Sequence, residues 1–314
     1  MKNLTSLVID NMTKNVIVLT YDHFGHTGNF WINNLKKCGC NVKTIGWQVD
    51  SGGIGRDVYI ERDKIIKYDF LKTIIDSFGF DEYIYFELES AVRMDDLENI
   101  KFPKIWITAD AHLNLENFLK RSRKFDYSFV SQKETENEAK RLNINNIIYL
   151  PFAGDPYIYR KIDNEIKYDF GFLGNFNIPH YKKRYDMINK LKEKFSVKIS
   201  SGRIVPDDKV SEFYSDCLFA FNCTEDITIP MRFFEIPLMK KILFTDEINN
   251  MRELIPENKG IVYYNNFVDL VNKTIFIKNN KQIRQKIEND GYEYNINRNT
   301  YKNRIEKVFE IIFQ

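Results

Sequence analysis

An arginine and a glutamate lie three residues apart in the segment Met231-Arg232-Phe233-Phe234-Glu235, which follows Ile229-Pro230 and has a helical pattern. Residues three apart share one face of a helix. A guanidinium can bind phosphate through paired hydrogen bonds, and a carboxylate can accept hydrogen bonds from hydroxyl groups. Together they could meet a ligand with both phosphate and ribose hydroxyls, which indicates nucleotide-sugar chemistry. The alternative is an i, i+3 surface salt bridge, worth about a few tenths of a kcal/mol.

Short apolar strands alternate with amphipathic helices in the first half of the chain. A helix is expected from Asn29 to Cys38, ended by Gly39, because glycine adopts the left-handed cap readily. Such alternation predicts a parallel sheet covered by helices on both faces. The predicted strands of this half are Val16–Leu19, Tyr83–Phe86, Ile105–Thr108, Tyr127–Val130 and Ile147–Leu150.

The same alternation restarts at Asp169, and the predicted strands there are Phe170–Leu173, Val197–Ser200, Leu218–Phe221, Ile242–Thr245 and Ile261–Tyr264. The sequence therefore predicts an α/β protein of two Rossmann-like, doubly wound domains. We expect the domains at 1–160 and 161–296, since the polar segment 155–167 separates the two patterns.

Composition bounds the class of protein. The chain has 314 residues, enough for two domains, and its 43% hydrophobic and 29% charged residues are typical of a globular protein. A net charge of +2 gives no strong overall field, so a dedicated nucleic-acid binder is not indicated. Neither a secretory signal nor an apolar run of 18 residues is apparent, and a cytoplasmic location is expected.

Several segments of the second half follow one another in a familiar order. They are Tyr168 to Asn175, Arg184, Ser201-Gly202, Asn222, Arg232 to Glu235, Thr245-Asp246, and Thr300-Tyr301-x-x-Arg304. This series resembles the C-terminal half of the CgeB-like (spore-maturation-protein-like) glycosyltransferases of the GT-B class, related to glycosyl transferases group 1. The first half agrees more loosely through Trp106-x-x-Ala109-Asp110-Ala111-His112, Phe125-Asp126-Tyr127 and Leu150 to Pro156.

The resemblance implies a GT-B fold, in which two domains face a central cleft and a C-terminal helix, here 297–314, completes the first domain. It implies transfer of a sugar, expected to be a hexose, from a UDP- or GDP-sugar to a hydroxyl-bearing acceptor without a metal. The nucleotide sugar is then a co-substrate, and no tightly bound cofactor is expected. The acceptor would be a glycan, a protein or a small molecule, with nucleic acid not excluded.

The resemblance also assigns roles in the donor site. Glu235 would accept hydrogen bonds from the ribose, while Arg232 would face the diphosphate and stabilise charge on the leaving group. Arg184 would be a further donor contact. Ser201 and Gly202 would lie beside the base, and Asn222, at a strand end, is also well placed for the donor.

Gly174 and Asn175 directly follow a predicted strand. A small residue there lets backbone amides approach a phosphate before the next helix, although an ordinary strand-to-helix turn would have the same sequence. The Asp-x-Asp pair typical of metal-dependent GT-A enzymes is missing where it would be expected, and Asp207-Asp208 is better explained as a helix start after Pro206. No metal site is predicted.

Two histidines lie in the loop after the first strand, which contains His23, Gly25 and His26. A histidine could remove the proton of an acceptor hydroxyl, and this loop could contact the acceptor and donor sugar. The alternative is a solvated loop in which Asn29 caps the following helix. Asp110 and His112 follow another strand, and Asp110 could act as the base, orient His112, or cap a helix.

Other functions stay open at this stage. The chain carries Ile227 where related retaining families have an acidic residue, so retention or inversion is undecided. A nucleotide-sugar epimerase or hydrolase would act on the donor without an acceptor. A noncatalytic scaffold of spore-coat or envelope assembly would bind a glycan or a partner without turnover.

Overall fold

The computed structural model describes residues 14–23, 27–48, 54–62, 65–89, 93–200 and 207–314. The chain divides into two compact units, one formed by Met1–Pro151 with Arg304–Gln314 and the other by Phe152–Asn303. The sequence-based bounds 1–160 and 161–296 stay a prediction. Four candidate residues, Gly25, His26, Ser201 and Gly202, lie outside the described residues.

The first unit contains a seven-stranded parallel sheet with the strand order β3-β2-β1-β5-β7-β8-β9. A separate parallel pair is formed by β4 and β6. The strands are β1 Asn15–Leu19, β2 Asn41–Gly46, β3 Val58–Tyr59, β4 Ile65–Ile66, β5 Ile84–Leu88, β6 Arg93–Met94, β7 Lys104–Thr108, β8 Tyr127–Val130 and β9 Ile147–Tyr149.

Helices of the first unit connect these strands. They are α1 Thr27–Lys37, α2 Tyr68–Phe78, α3 Leu115–Ser122 and α4 Lys133–Arg141. The last helix of the chain, α11 Tyr301–Ile312, belongs to this unit from Arg304 onward. Helix α1 is followed by Gly39 with φ of 86°, which confirms the predicted left-handed cap. Strand β5 is buried along its whole length, as the central strand of a sheet covered on both faces must be.

The second unit contains a five-stranded sheet in the order β11-β10-β12-β13-β14, again with every pair parallel. Its strands are β10 Tyr168–Leu173, β11 Val197–Ser200, β12 Cys217–Phe221, β13 Ile242–Asp246 and β14 Ile261–Tyr264. Its helices are α5 Lys182–Lys192, α6 Asp207–Ser215, α7 Arg232–Leu238, α8 Met251–Leu254, α9 Phe267–Asn279 and α10 Lys281–Arg298. Asp207 and Asp208 belong to α6, and Pro206, after which the helix start was predicted, lies outside the described residues.

Phenylalanines of neighbouring strands form the core of the second unit. The ring of Phe170 packs edge-on against Phe244 with centroids 5.5 Å apart, and Phe219 lies 5.1 Å from Phe244. Edge-to-face pairs at this separation add to the free energy of burial. This core fixes β10, β12 and β13 side by side and so fixes the positions of the residues that follow them.

Chain order reverses once in each main sheet. In the first sheet the reversal lies between β1 and β5, and in the second between β10 and β12. Parallel α/β sheets bind ligands outside the carboxyl ends of their strands at such a reversal, because the flanking connections diverge there and leave a crevice.

Across the described ranges, no helix has an apolar stretch long enough to cross a membrane.

Candidate functional site

Gly174 follows β10 and has φ of 152°, a backbone conformation that favours glycine. A Cβ atom built on Gly174 would lie 2.5 Å from Nη2 of Arg232 and 3.4 Å from the Phe172 ring. Only glycine therefore lets the Arg232 side chain lie against this turn without displacement. The absence of a side chain at Gly174 thus lets Arg232 of α7 pack against the turn after β10.

Two guanidinium groups converge on one aromatic ring. The guanidinium carbon of Arg232, at the start of α7, lies 5.0 Å from the centroid of Phe172, and that of Arg184, on α5, lies 5.8 Å from the same centroid. Arg184 is held by hydrogen bonds from Nε to the Cys223 carbonyl (2.9 Å) and from Nη1 to the Asn175 carbonyl (2.6 Å). Gly174, Asn175, Arg184 and Arg232 are thus brought together.

Neither guanidinium has a carboxylate within ion-pair distance among the residues that the structure describes. Burial lowers the pKa of Arg232, and the positive charge of Arg184 lowers it further, while Tyr214 and Glu235 act in the opposite direction. Placing two cations around one ring is unfavourable unless an anion joins them. The geometry is therefore suited to an anionic group such as a diphosphate, which guanidinium groups bind bidentately.

Asn222 orients Arg232 from the adjacent strand end. The buried Asn222, directly after β12, accepts a hydrogen bond from Nη1 of Arg232 through Oδ1 (3.1 Å). Its Nδ2 donates to the hydroxyl groups of Thr245 (2.9 Å) and Thr224 (3.2 Å), and its backbone carbonyl accepts from the Tyr264 hydroxyl (2.7 Å). Both Oδ1 and Nδ2 of Asn222 have hydrogen-bond partners, so the side chain is held in place and supports Arg232 rigidly.

Asp246 ends β13 beside this network. Its carboxylate accepts hydrogen bonds from the backbone and hydroxyl of Thr224 (2.8 and 2.9 Å) and forms an ion pair with Lys183 (2.6 Å). Burial opposes protonation of Lys183, but the hydrogen bond and charge of Asp246 give a net rise in the Lys183 pKa. Since Lys183 has this carboxylate, the two arginines are the better anion ligands.

Glu235 lies in the first turn of α7 and is only 9% exposed. Arg232 uses its Nη1 on Asn222 and has no ion pair with Glu235 within 4.0 Å. The alternative prediction of a surface salt bridge between Arg232 and Glu235 is therefore wrong, because Glu235 is buried and the two side chains form no ion pair. The Glu235 carboxylate is nevertheless close enough to Arg232 for its charge to raise the Arg232 pKa.

The candidate residues of the first unit, His23, Asp110 and His112, differ in burial and in hydrogen bonding. His23 is half-buried, and its carbonyl accepts a hydrogen bond from Asn29 Nδ2 (2.9 Å). Asp110 is exposed, and its backbone carbonyl accepts a hydrogen bond from the amide of Leu113 (3.1 Å). Its side chain makes no cap hydrogen bond to the short 3₁₀ turn 111–114, so the capping role is not seen. His112 is half-buried, with a buried Nδ1 that lacks a hydrogen-bond partner in the described part of the chain.

Asn29 does not cap α1, because the helix begins two residues earlier, at Thr27. Its side chain instead accepts a hydrogen bond from the buried Arg56 (2.9 Å). Arg56 in turn pairs with the buried Asp22 at 3.1 Å, and Asp22 also accepts from the Tyr59 hydroxyl (2.9 Å). The loop after β1 is thus tied by an internal ion pair, which the solvated-loop interpretation did not foresee.

Glu89 is a polar residue that the sequence did not single out. It follows the central strand β5 and has φ of 64°. Its carboxylate accepts hydrogen bonds from the Thr27 hydroxyl (2.7 Å) and the Ala109 amide (3.1 Å). The predicted strand Tyr83–Phe86 ended before Leu88, so the sequence did not place Glu89 at a strand end. A glutamate in a left-handed conformation also cannot be read from residue types.

No group of three or more His, Cys, Asp or Glu residues within the described ranges could hold a metal ion. Cys217 and Cys223 are buried free thiols, and burial raises the pKa of each to about 12. Protonated thiols at neutral pH are poor nucleophiles and poor metal ligands.

Residues 157–310 match the sequence profile of the family described as glycosyl transferase-like. The match spans most of the second unit, which carries the two arginines, and extends into α11. A sequence search of curated proteins found no significant match.

Solved structures of similar fold cover nearly the whole chain. Sucrose-phosphate synthase from Thermosynechococcus elongatus superposes with a TM-score of 0.64 at 9% identity, over 95% of this chain and 98% of that one. Anabaena HepE, in complex with UDP and glucose, gives 0.64 at 10% identity, over 96% and 99%. A glycosyltransferase from Rickettsia africae gives 0.60 at 13% identity, over 96% and 98%. The chain thus has the GT-B fold of two Rossmann-like domains, and its second half is glycosyl transferase-like.

Proposed function

We propose that the protein is a metal-independent glycosyltransferase that takes a hexose from a UDP- or GDP-sugar and gives it to a hydroxyl-bearing acceptor. The observation that carries this proposal is the pair of guanidiniums, Arg184 and Arg232, over the single ring of Phe172 without a carboxylate partner in the described structure. They are at the carboxyl end of the sheet, at its point of reversal. The glycosyl transferase-like match of this half supports the proposal.

The diphosphate would lie between the two arginines and against the Gly174 turn. When the bond between the sugar and the diphosphate breaks, negative charge grows on the leaving group. Fixed guanidiniums stabilise that charge without reorganising, which is the role of a divalent metal in other enzymes. Asn222 keeps Arg232 in place for this purpose.

Glu235 would accept hydrogen bonds from the ribose hydroxyls, as its burial in the first turn of α7 allows. Ser201 and Gly202 would contact the base. The fold neighbour HepE was crystallised with UDP and with UDP-glucose, which favours a uridine donor for the first trials. The order of motifs from Tyr168 to Arg304 supports a CgeB-like member of the class.

The acceptor would bind the first unit, where His23, His26, Gly25, Asp110 and His112 are the residues proposed from sequence. A noncatalytic binder or a donor-only epimerase or hydrolase would share the second-unit site. What separates these possibilities is turnover with an added hydroxyl compound, and no feature of the described residues favours the alternatives.

The test of the donor site is calorimetric titration with UDP, GDP, ADP, CDP and dTDP in the presence of EDTA. We expect one nucleotide to bind the wild-type protein and Glu235→Gln to weaken it roughly 10-fold or more, because a hydrogen bond to a charged group contributes about 1.5–3 kcal/mol. The matched control is Glu257→Gln. Glu257 precedes β14, and its carboxylate accepts hydrogen bonds from Arg252 and from the Tyr263 amide. Loss of affinity in the control as well, or no binding to any nucleotide, would contradict the proposal.

A further inference from the structure

A chain of hydrogen bonds connects the carboxylate of Asp246 to the guanidinium of Arg232. Asp246 Oδ1 accepts from the Thr224 hydroxyl (2.9 Å), and Thr224 Oγ1 accepts in turn from Asn222 Nδ2 (3.2 Å). Asn222 Oδ1 then accepts from Arg232 Nη1 (3.1 Å). All of these residues belong to the second unit. Thr224 and Asn222 are buried, so the links between the two charged groups are shielded from water.

Each threonine hydroxyl in this network uses its single hydrogen away from Asn222. The Thr224 hydroxyl donates to the Asp246 carboxylate, and an ionised carboxylate can only accept. The Thr245 hydroxyl donates to the backbone carbonyl of Asp246 (2.9 Å), which is likewise an acceptor only. Both hydroxyl oxygens therefore present lone pairs to Asn222, and the hydrogens of Nδ2 are the groups that can meet them.

The orientation of the Asn222 amide follows from these directions. With Nδ2 on the two threonine hydroxyls, Oδ1 faces Arg232, whose guanidinium can only donate. If the amide turned over, Nδ2 would face the donors of the guanidinium, and Oδ1 would face two hydroxyl oxygens whose hydrogens point elsewhere. Three hydrogen bonds would then be lost in a buried place, where an unmade hydrogen bond is costly.

Lys183 holds the beginning of this chain in place. Its ammonium nitrogen lies 2.6 Å from Asp246 Oδ2 and 2.9 Å from the carbonyl oxygen of Thr224. The Thr224 amide donates to the same Oδ1 atom of Asp246 that the hydroxyl uses (2.8 Å). Since Asp246 turns one oxygen to Lys183 and the other to Thr224, the hydroxyl hydrogen has one favourable direction.

We propose that Asp246 and Thr224 are positioning residues, which keep Arg232 aimed at the donor diphosphate by fixing the orientation of the Asn222 amide. This inference rests on the proposed glycosyltransferase function, in which Arg232 binds the diphosphate. Neither residue has to touch the ligand, because Asp246 sets the direction of the Thr224 hydroxyl and that hydroxyl sets the direction of the amide. A guanidinium binds phosphate through two parallel N–H groups, so its direction matters as well as its charge.

The experiment measures the calorimetric dissociation constant of the nucleoside diphosphate that the wild-type protein binds. Thr224→Val removes the hydroxyl at nearly constant shape, and we expect the dissociation constant to rise about three- to tenfold, as for the loss of one hydrogen bond. Thr224→Ser keeps the hydroxyl and should stay within about twofold of wild type. If Thr224→Val does not fold, Thr224→Ala removes the same hydroxyl with less bulk beside Asp246.

Variants of the two ends of the chain show whether the residues act in series. In Asp246→Asn, the side-chain oxygen would face the Lys183 ammonium and the NH₂ group would face Thr224, which reverses the hydroxyl. We expect a loss of about three- to tenfold there too, and adding Thr224→Val should weaken binding by less than about twofold more. In an Arg232→Lys protein, Thr224→Val should also cost less than about twofold, because the donors of an ammonium rotate and need no fixed acceptor.

The matched control is Thr44→Val in the first unit. Thr44 is buried, and its amide and hydroxyl both donate to one carboxylate oxygen of Asp57 (2.9 and 2.8 Å), as those of Thr224 do to Asp246. We expect Thr44→Val and Thr224→Val to lower the melting temperature alike, because each loses a buried hydroxyl that is hydrogen-bonded to a carboxylate. The dissociation constant should rise in Thr224→Val alone, which a merely structural role would not produce.

Three results would overturn the inference. The first is a folded Thr224→Val or Asp246→Asn protein that binds the nucleotide within about 1.5-fold of wild type or more tightly. The second is a Thr224→Ser protein that binds as weakly as Thr224→Val. The third is an equal loss from Thr224→Val in the wild-type and Arg232→Lys proteins, which would mean that the hydroxyl does not act through Arg232. A wild-type protein that binds no nucleoside diphosphate would overturn the proposed function as well, whereas these three results leave that function in place.

Discussion

Gly174→Ala is the substitution whose effect can be worked most directly from the structure. The added Cβ would meet Arg232 Nη2 at 2.5 Å, whereas ordinary contact begins near 3.4 Å. The guanidinium therefore has to move by about 1 Å, since it is the flexible end of its side chain. A displacement of this size breaks a directional hydrogen bond to a phosphate, and such a charge-assisted bond contributes about 1.5–3 kcal/mol.

That loss corresponds to a roughly 10- to 150-fold increase in the dissociation constant of the cognate nucleoside diphosphate. The φ of 152° adds backbone strain of about 1–3 kcal/mol in the folded protein, which lowers the melting temperature by several degrees. Affinity is measured by calorimetry and stability by thermal unfolding. Both should fall in the same variant.

Gly79→Ala is the matched control for strain alone. Gly79 has φ of 71°, yet a Cβ there would meet no atom within 4 Å. It follows α2 in the first unit, whereas the two arginines belong to the second unit. The control should therefore lose stability while nucleotide affinity stays unchanged. If Gly174→Ala binds nucleotide as tightly as the wild-type protein, the role of Arg232 as a phosphate ligand is refuted.

Three further predictions concern both units. Arg232→Lys should weaken nucleotide binding roughly tenfold in calorimetry, because one ammonium group cannot replace the planar fork of a guanidinium. Arg56→Met leaves Asp22 buried without its cation and should cost about 3–5 kcal/mol in denaturant unfolding, and adding Asp22→Asn should recover part of that loss. Burial raises the pKa of Asp169, but the hydrogen bonds from Lys278 and Ser196 and the charge of Lys278 together outweigh it, and the net pKa is lowered from 3.8. A lowered pKa stabilises the fold above the unfolded-state pKa and loses this effect as pH falls through the folded one, so Asp169→Asn should flatten the stability profile below about pH 4.

Each of these has a clear contrary result. Unchanged nucleotide affinity in Arg232→Lys would place the phosphate elsewhere. A stable Arg56→Met protein would mean that the buried pair is not required for the loop after β1. An equally steep acid profile in Asp169→Asn would assign the acid sensitivity to other carboxylates.

Much of the sheet structure could be predicted because its strands are continuous apolar runs. Val197–Ser200 and Ile261–Tyr264 coincide with β11 and β14, and Tyr127–Val130 coincides with β8. Strand β2 was missed since Asn41–Gly46 mixes lysine and threonine with its apolar residues. Its buried face becomes clear only when it pairs with β1.

The candidate site was predictable in part for the same reason. Gly174 and Asn222 follow apolar strands, so their location at strand ends could be expected from the sequence. Convergence of Arg184 and Arg232 on Phe172 depends on how α5 and α7 pack, which residue spacing does not determine. Glu89 could not be singled out because its conformation is imposed by tertiary hydrogen bonds, which have no local pattern.

Direct detection of sugar transfer tests the central claim. The wild-type protein would be incubated in EDTA with UDP-glucose or GDP-mannose and a mixture of hydroxyl acceptors, and the products would be analysed by mass spectrometry. The two-arginine site predicts an acceptor that gains the mass of one hexose, together with free nucleoside diphosphate and without added metal. Nucleotide binding with no product from either donor would contradict the claim and favour a noncatalytic binder.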